Sequence, residues 1–339
     1  MIALGAVVGA MVTLFLCPPL IRALEWRAVL DTPVERSSHL STTPRGGGIA
    51  PALGACIASL VVSASSSTTI LLVASTAFAF GALGLADDLL DVSARWRLLV
   101  QVVISASVVA PLVSGIASGI PAAGVVLIGW LWLAAYVNAF NFMDGINGIS
   151  VAQVVVAGAA WSAVGAWRGE LVLAAGGAVV AAVALAFLPF NYPHAKVFLG
   201  DVGSYFFGGW LAAMVLLTLG RGLTPEMAVA PVLLYVCDTG TTLVRRAARR
   251  TPLLQPHREH TYQRLVIGGW SHGRTTGFVA IVLACSSVLG ALTLVGDIVL
   301  RVAADAALVL LMVGYLASPR WQRGRSRSLA SGLLGRGRR

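Results

Sequence analysis

Apolar residues run along this chain in blocks separated by short polar stretches. Most blocks hold about 18–22 residues, enough to cross about 30 Å of hydrocarbon as a helix. Eleven can be drawn, over residues 2–21, 48–64, 69–86, 98–115, 121–137, 149–167, 171–189, 204–220, 226–244, 276–296 and 298–316. The last is the weakest, because it carries Arg301 and Asp305. The pattern predicts an all-α, polytopic integral membrane protein of about 11 transmembrane helices, with 10 as the alternative count. One transmembrane domain is expected over 1–318, with a large polar loop at 245–274 and a disordered basic tail at 319–339. No positive charge precedes the first block, and Pro18, Pro19 and Arg22 close it. It therefore reads as a first span rather than a cleaved leader.

Composition supports this reading and orients it. The chain of 339 residues is 58% hydrophobic and only 11% charged, against about 25% charged residues in soluble domains. Its net charge of +10 comes from 23 Arg and a single Lys, Lys196, against 14 acidic residues. Alternating sides from an outside N-terminus puts 21 of the 24 cations on the inside, leaving Arg168, Arg221 and Arg301 outside. That asymmetry predicts a multi-pass protein of the cell (inner) membrane with a cytoplasmic C-terminus. It accounts for the basic charge by orientation and by attraction to anionic membrane lipids, and argues against nucleic acid as a partner. Cys17, Cys56, Cys237 and Cys285 each fall in an apolar block without metal spacing. Buried thiols are expected, with neither a disulfide nor a zinc site.

The polar clusters all land on the inside face: SSHLSTTPRGGG (37–48), LADDLLD (85–91), NAFNFMDGINGIS (138–150), NYPHAKVFLGDVGS (191–204) and QPHREHTYQRL (255–265). The third is the most informative. Three Asn and one Asp sit where a membrane helix leaves the bilayer, and such groups are costly there unless they line a site. Asp87 and Asp88 are adjacent carboxylates that would not both ionise cheaply without a cation. Asp91, four residues from Asp87, is expected on the same helix face. Asp201, between glycines at the start of a span, suits a metal or phosphate near a helix N-terminus, or a plain helix cap. His257 and His260 lack a third ligand at zinc spacing, so phosphate contact or proton transfer fits them better. Arg45, beside Gly46, Gly47 and Gly48, is a phosphate candidate. Arg245, Arg246, Arg249 and Arg250 read first as a headgroup-facing stripe, and Asp238 needs a partner, either the site or a nearby Arg. His39, His194 and His272 carry less weight. Together these groups suggest phosphoryl transfer at the bilayer surface, with magnesium neutralising a diphosphate.

Taken in order, PRGGG, the Asp-Asp pair, NFMDG, FLGDVGS and the HREH loop resemble the polyprenyl-phosphate N-acetylhexosamine-1-phosphate transferases, over nearly the whole chain. The resemblance implies that a lipid phosphate attacks the β-phosphorus of a UDP-N-acetylamino sugar, releasing UMP. It implies Mg2+, with Mn2+ as a substitute, held by Asp201, Asn141 and Asp144. Asp87, Asp88, Asp144, His257 and His260 would be catalytic. Arg45, Asn138, Asn141, Asn147, Asn191, Phe198 and Arg258 would bind substrate, Phe198 by stacking on uracil and Asn191 and Asn147 near the base. The acceptor would be undecaprenyl phosphate, and homodimers occur in the family. Two departures stand out. Position 147 holds Asn where many relatives have Asp, and the loop reads PHREH instead of the triple-His run of the phospho-N-acetylmuramoyl-pentapeptide transferases. The wording is closer to the branch that starts O-antigen or capsule-type glycans, with UDP-GlcNAc or UDP-linked FucNAc or QuiNAc as donor. The alternatives are the muramoyl-pentapeptide reaction, a transporter, or a silent membrane scaffold. A transporter would place its carboxylates near span midpoints and show paired halves, whereas these acids lie at span ends.

Overall fold

The computed structural model describes residues 1–32, 42–64, 68–114, 116, 121–252 and 257–336, with side chains as far as Gln322. His39 and residues 37–41 of the first polar cluster lie outside the described residues. In chain order the helices are α1 (Ile2–Trp26), α2 (Ile49–Ser63), α3 (Thr69–Leu90), α4 (Ala94–Val113), α5 (Ala122–Met143), α6 (Ile149–Arg168) and α7 (Leu171–Asn191). There follow α8 (Gly200–Gly220), α9 (Pro225–Val229), α10 (Leu233–Ala248), α11 (Thr261–Ile267), α12 (His272–Leu292) and α13 (Ile298–Arg336). A 3-10 turn, Ala230–Val232, joins α9 to α10. Two short strands, β1 (Leu30–Asp31) and β2 (Thr43–Pro44), pair antiparallel with Leu30 opposite Pro44.

Ten helical stretches among the described residues are long and apolar enough to cross a membrane, α9 and α10 counting as one, Pro225–Ala248. The eleventh expected span is α2, which has only 15 residues, about 22 Å at 1.5 Å per residue. It runs antiparallel to α1, with Gly5 facing Val62 and Gly54 facing Thr13. The block that is weakest in sequence supplies a full stretch, Ile298–Gln322. Its Arg301 is matched by Glu226 at 2.8 Å, which removes the cost that made the block look weak. The helix continues beyond Ser318 to Arg336.

Several helices outrun their apolar blocks, because side-chain hydropathy ends before backbone hydrogen bonding does. Helix α3 continues to Leu90 and carries Asp87 and Asp88, while α5 continues to Met143 and carries Asn138 and Asn141. Helix α4 begins at Ala94 and α8 at Gly200, so Arg97 and Asp201 are helical too. Asp87, Asp88, Arg97, Asn138, Asn141 and Asp201 therefore stand on helix ends instead of on loops.

The bundle is organised around α8, whose residues from Val202 to Thr218 are all buried. A helix that is apolar all round belongs in an interior, and in a membrane its close packing depends on small residues. Gly84 of α3 lies so near the Asp201 backbone that an added Cβ would collide with the Asp201 carbonyl. Gly84→Ala should force α3 and α8 apart and cost about 1–3 kcal/mol. Thermal unfolding in detergent reads this loss; wild-type stability would show that the two helices are not held at this separation.

Candidate active site

The site begins with backbone pairing between two distant motifs. The Phe198 N–H donates to the Pro44 carbonyl at 2.8 Å, the Gly47 N–H to Phe198 at 2.9 Å and the Gly48 N–H to Leu199 at 2.8 Å. Arg45 is thereby set beside Phe198, which is half-buried. Gly200 follows with φ of +74°, a left-handed turn that glycine makes without strain, and the chain enters α8.

Asp88 reaches across from α3 to receive that turn. Its Oδ1 accepts the Asp201 N–H at 3.1 Å and its Oδ2 accepts the Val202 N–H at 2.9 Å. The Arg45 Nε lies 3.1 Å from Oδ1, and the Arg45 guanidinium also donates to the Asp88 carbonyl at 3.3 Å. A buried carboxylate thus caps the positive end of α8 and fixes the residue next to it, Asp201. The Arg97 Nη1 lies 2.5 Å from Asp87 Oδ2 and 3.9 Å from Asp201 Oδ2, one cationic nitrogen facing two carboxylates. Asn141 donates from Nδ2 to Asp201 Oδ1 at 2.8 Å and to Ser204 Oγ at 2.9 Å, which leaves its oxygen as the acceptor end. Asp87, Asp88, Asn141, Asp201 and Arg45 are therefore brought together.

The remaining amides are engaged within the protein. Asn138 donates to Gln101 Oε1 at 2.5 Å and to the Ala134 carbonyl at 2.8 Å. Asn147 donates to the Pro193 carbonyl at 3.0 Å. Asn191 is buried, accepts the Gly148 N–H at 2.9 Å and donates to the Val197 carbonyl at 3.1 Å. Both ends of its amide are engaged, so it fixes the 191–197 turn against the start of α6. Asp144 closes α5 and is half-buried. Burial pushes its carboxyl up to about 6; the Ser150 hydroxyl opposes the shift and the Asp88 charge adds to it.

The histidine loop docks on the end of α5. The Tyr262 hydroxyl donates to the Phe142 carbonyl at 3.2 Å, and the His260 ring is 6.4 Å from Phe142 and 5.0 Å from His257. His260 is buried whereas His257 and Arg258 are only partly so. Glu259 pairs with Arg246 at 2.5 Å and with Arg249 at 3.4 Å, so Arg246 leaves the predicted headgroup stripe. Asp91 is a second difference. It follows the last residue of α3 with φ of +50° and is exposed, so it shares no helix face with Asp87. Sequence reasoning passed over Arg97 and Gln101 as site residues. Their spacing of four puts both on one face of α4, and that face meets Asp87 and Asn138.

Among the described residues no three His, Cys, Asp or Glu side chains close into a metal cage. The hard oxygens that come together are those of Asp87 and Asp201, with the Arg97 nitrogen already between them, and Asn141 meets Asp201 through its Nδ2 with its oxygen left unengaged. That set suits magnesium, which needs few protein ligands and completes its shell with water and substrate phosphates. Its fit to zinc is poor.

His257 is poised as a neutral donor. Burial first, then the neighbouring His260 and Arg246, lower its pKa from 6.5 to about 4, against smaller upward pulls from Glu259 and Asp238. Its Nδ1 accepts the Glu259 N–H at 3.5 Å, which leaves Nε2 to carry the proton. The unfolded chain would protonate this ring near 6.5 and the folded one near 4. Stability from the neutral ring is thus complete above 6.5 and is lost as pH falls towards 4. Ring-carbon NMR should place the His257 midpoint near 4; a midpoint near 6.5 would show a solvated ring.

Residues 70–219 match the model of glycosyl transferase family 4. The chain is 26% identical to the "Probable undecaprenyl-phosphate N-acetylglucosaminyl 1-phosphate transferase" of Bacillus subtilis (strain 168), over 79% of this chain and 78% of that protein. It is 29% identical to the decaprenyl-phosphate N-acetylglucosaminephosphotransferase of Mycolicibacterium smegmatis, over 93% and 89%. A phospho-N-acetylmuramoyl-pentapeptide-transferase of Rhodopseudomonas palustris is 26% identical, over 84% and 91%. The motif order, the convergence of those motifs at one end of the bundle, and these relatives all support glycosyl transferase family 4 as the family this chain resembles.

Proposed function

We propose that this protein transfers an N-acetylamino-sugar 1-phosphate from a UDP-sugar to undecaprenyl phosphate. The products are the undecaprenyl-diphosphate sugar and UMP, and the step opens the synthesis of a cell-surface polysaccharide. The reading is carried by one observation. Asp87, Asp88, Asp201, Asn141, Arg45 and Arg97, from five separate elements, meet at one end of an apolar helix bundle. Such a cluster suits phosphoryl transfer, in which positioning and charge stabilisation supply most of the catalysis.

Asp201 and Asn141, with Asp144 or Asp87 beside them, would hold magnesium, which when bound offsets the charge of the diphosphate. Asp87, oriented by Arg97, takes the proton of the lipid phosphate or aligns that phosphate. Asp88 keeps Asp201 in place. Arg45 and the Nε2–H of His257 contact phosphate oxygens, with Arg258 beside them, and Phe198 offers its ring to the base. Asn191 and Asn138 serve as supports, since both are engaged with the protein itself. The distribution of cations favours a cytoplasmic site. UDP-GlcNAc or a UDP-linked deoxy amino sugar is the favoured donor, on the wording of the histidine loop and the names of two of the three relatives. The third relative keeps the muramoyl-pentapeptide donor as the runner-up.

Purified protein with undecaprenyl phosphate, magnesium and a panel of UDP-sugars, the muramoyl-pentapeptide included, should release UMP with one donor class. Asp201→Asn should lower that rate by more than about a hundredfold while leaving the folded fraction in detergent unchanged. The absence of UMP release with every donor would sink the proposal, and normal turnover in Asp201→Asn would sink the metal assignment.

A further inference from the structure

We propose that Asp238, together with Tyr315, is a positioning residue that holds the His257–His260 loop against the end of α5. The inference rests on the transferase reading only for what the loop then binds. Asp238 lies inside α10, fully buried, in a stretch apolar enough to cross the membrane. A carboxylate there is costly unless its oxygens are satisfied. Both accept the Thr261 N–H, at 2.9 and 3.0 Å. Oδ2 also accepts the Tyr315 hydroxyl at 2.8 Å. Oδ1 accepts the Thr242 hydroxyl at 3.4 Å and lies 3.4 Å from His260 Nδ1. Only Thr242 belongs to its own helix. The other partners come from α11 and α13, so the carboxylate joins three elements.

The direction of the contacts shows what is being held. Thr261 opens α11, so Asp238 satisfies the first N–H of that helix, next to the His260 N–H that Gln263 accepts. The buried His260 Nδ1 has no hydrogen-bond partner, and Asp238 is the ionisable group it faces. The His260 ring in turn stacks on Tyr262, at 6.0 Å and 17°, and meets His257 at 5.0 Å. Orientation therefore passes from a carboxylate to a buried imidazole, and from there to the partly exposed His257. This is the arrangement by which a second carboxylate fixes a functional histidine. Helix α13 grips α11 at its other end as well: Gln322 donates to the Leu265 carbonyl at 3.2 Å and to the Gly268 carbonyl at 2.6 Å. The last helix, well outside the 70–219 match to the family, thus helps to complete the site.

Two mild variants test this. Tyr315→Phe removes only a hydroxyl, and Asp238→Asn keeps the shape and one acceptor. Hydrogen exchange of the backbone amides over 257–262, followed by mass spectrometry in detergent, should accelerate at least about tenfold in both, as expected for a lost bond to a charged group. Amides of α8 should be unchanged. KM for the UDP-sugar should rise about tenfold with kcat within about threefold, the pattern of lost ground-state positioning. Wild-type exchange in both variants would overturn the proposal. So would faster exchange spread evenly through α8, or faster loop exchange with no change in KM. If the wild-type protein transfers no sugar but the loop still loosens in the variants, the positioning role stands and the transferase reading fails.

Discussion

The site depends on one buried ion contact, the Asp88 carboxylate seated on the first N–H groups of α8 with Arg45 alongside. The contact closes the distance between α3 and α8, seats the PRGGG segment against the chain entering α8, and leaves Asp201 with a single backbone position. A charge so placed is a poor source of net stability, since removing it from water costs several kcal/mol. What it supplies is register. The helix end binds an anion well, and here the protein provides that anion itself, freeing the side chain of Asp201 to face outward. Asp87, one residue earlier on α3, points at Arg97 instead. Two neighbouring acids thus divide into one that builds the site and one that lines it.

Much of this was legible in the sequence because hydropathy and charge are properties of whole segments. The helical membrane fold followed from block length alone, and the grouping of polar clusters followed from alternation. The structure adds what segment averages cannot contain. Hydropathy placed the ends of α3 and α5 too early, because Asp87, Asp88, Asn138 and Asn141 are polar side chains on a backbone that is still helical. It overrated α2, because the apolar block over 48–64 holds only 15 helical residues, Ile49–Ser63. It underrated α13, because the partner of Arg301 is Glu226, 75 positions away in the chain. The i+4 relation between Asp87 and Asp91 failed for a local reason: the backbone turns left-handed at Asp91.

The amides show the same limit at finer scale. Asn141, Asn147 and Asn191 look alike as residues near a membrane face. In the fold, Asn141 touches Asp201, Asn147 holds the Pro193 carbonyl, and Asn191 ties the end of α7 to the start of α6. Residue type signals that hydrogen bonds are needed at this depth without saying to whom. The departure at position 147 gains a physical sense from this. An amide donates to the Pro193 carbonyl, which an ionised carboxylate could not do.

The enclosure of α8 has a consequence for how such a sequence can drift. A lipid-facing position accepts almost any apolar side chain, since acyl chains adapt to its shape. From Val202 to Thr218 the surroundings are other helices, which do not adapt. A change of volume there has to be answered by a change on a neighbour, so this stretch can vary only in concert with the helices packed on it, α3 and α5 foremost, then α4, α7 and α9. The outward faces of α1 and α13 answer to hydrophobicity alone. Kinship in such a protein should therefore be written most durably in its innermost helix and fade towards its lipid-facing rim.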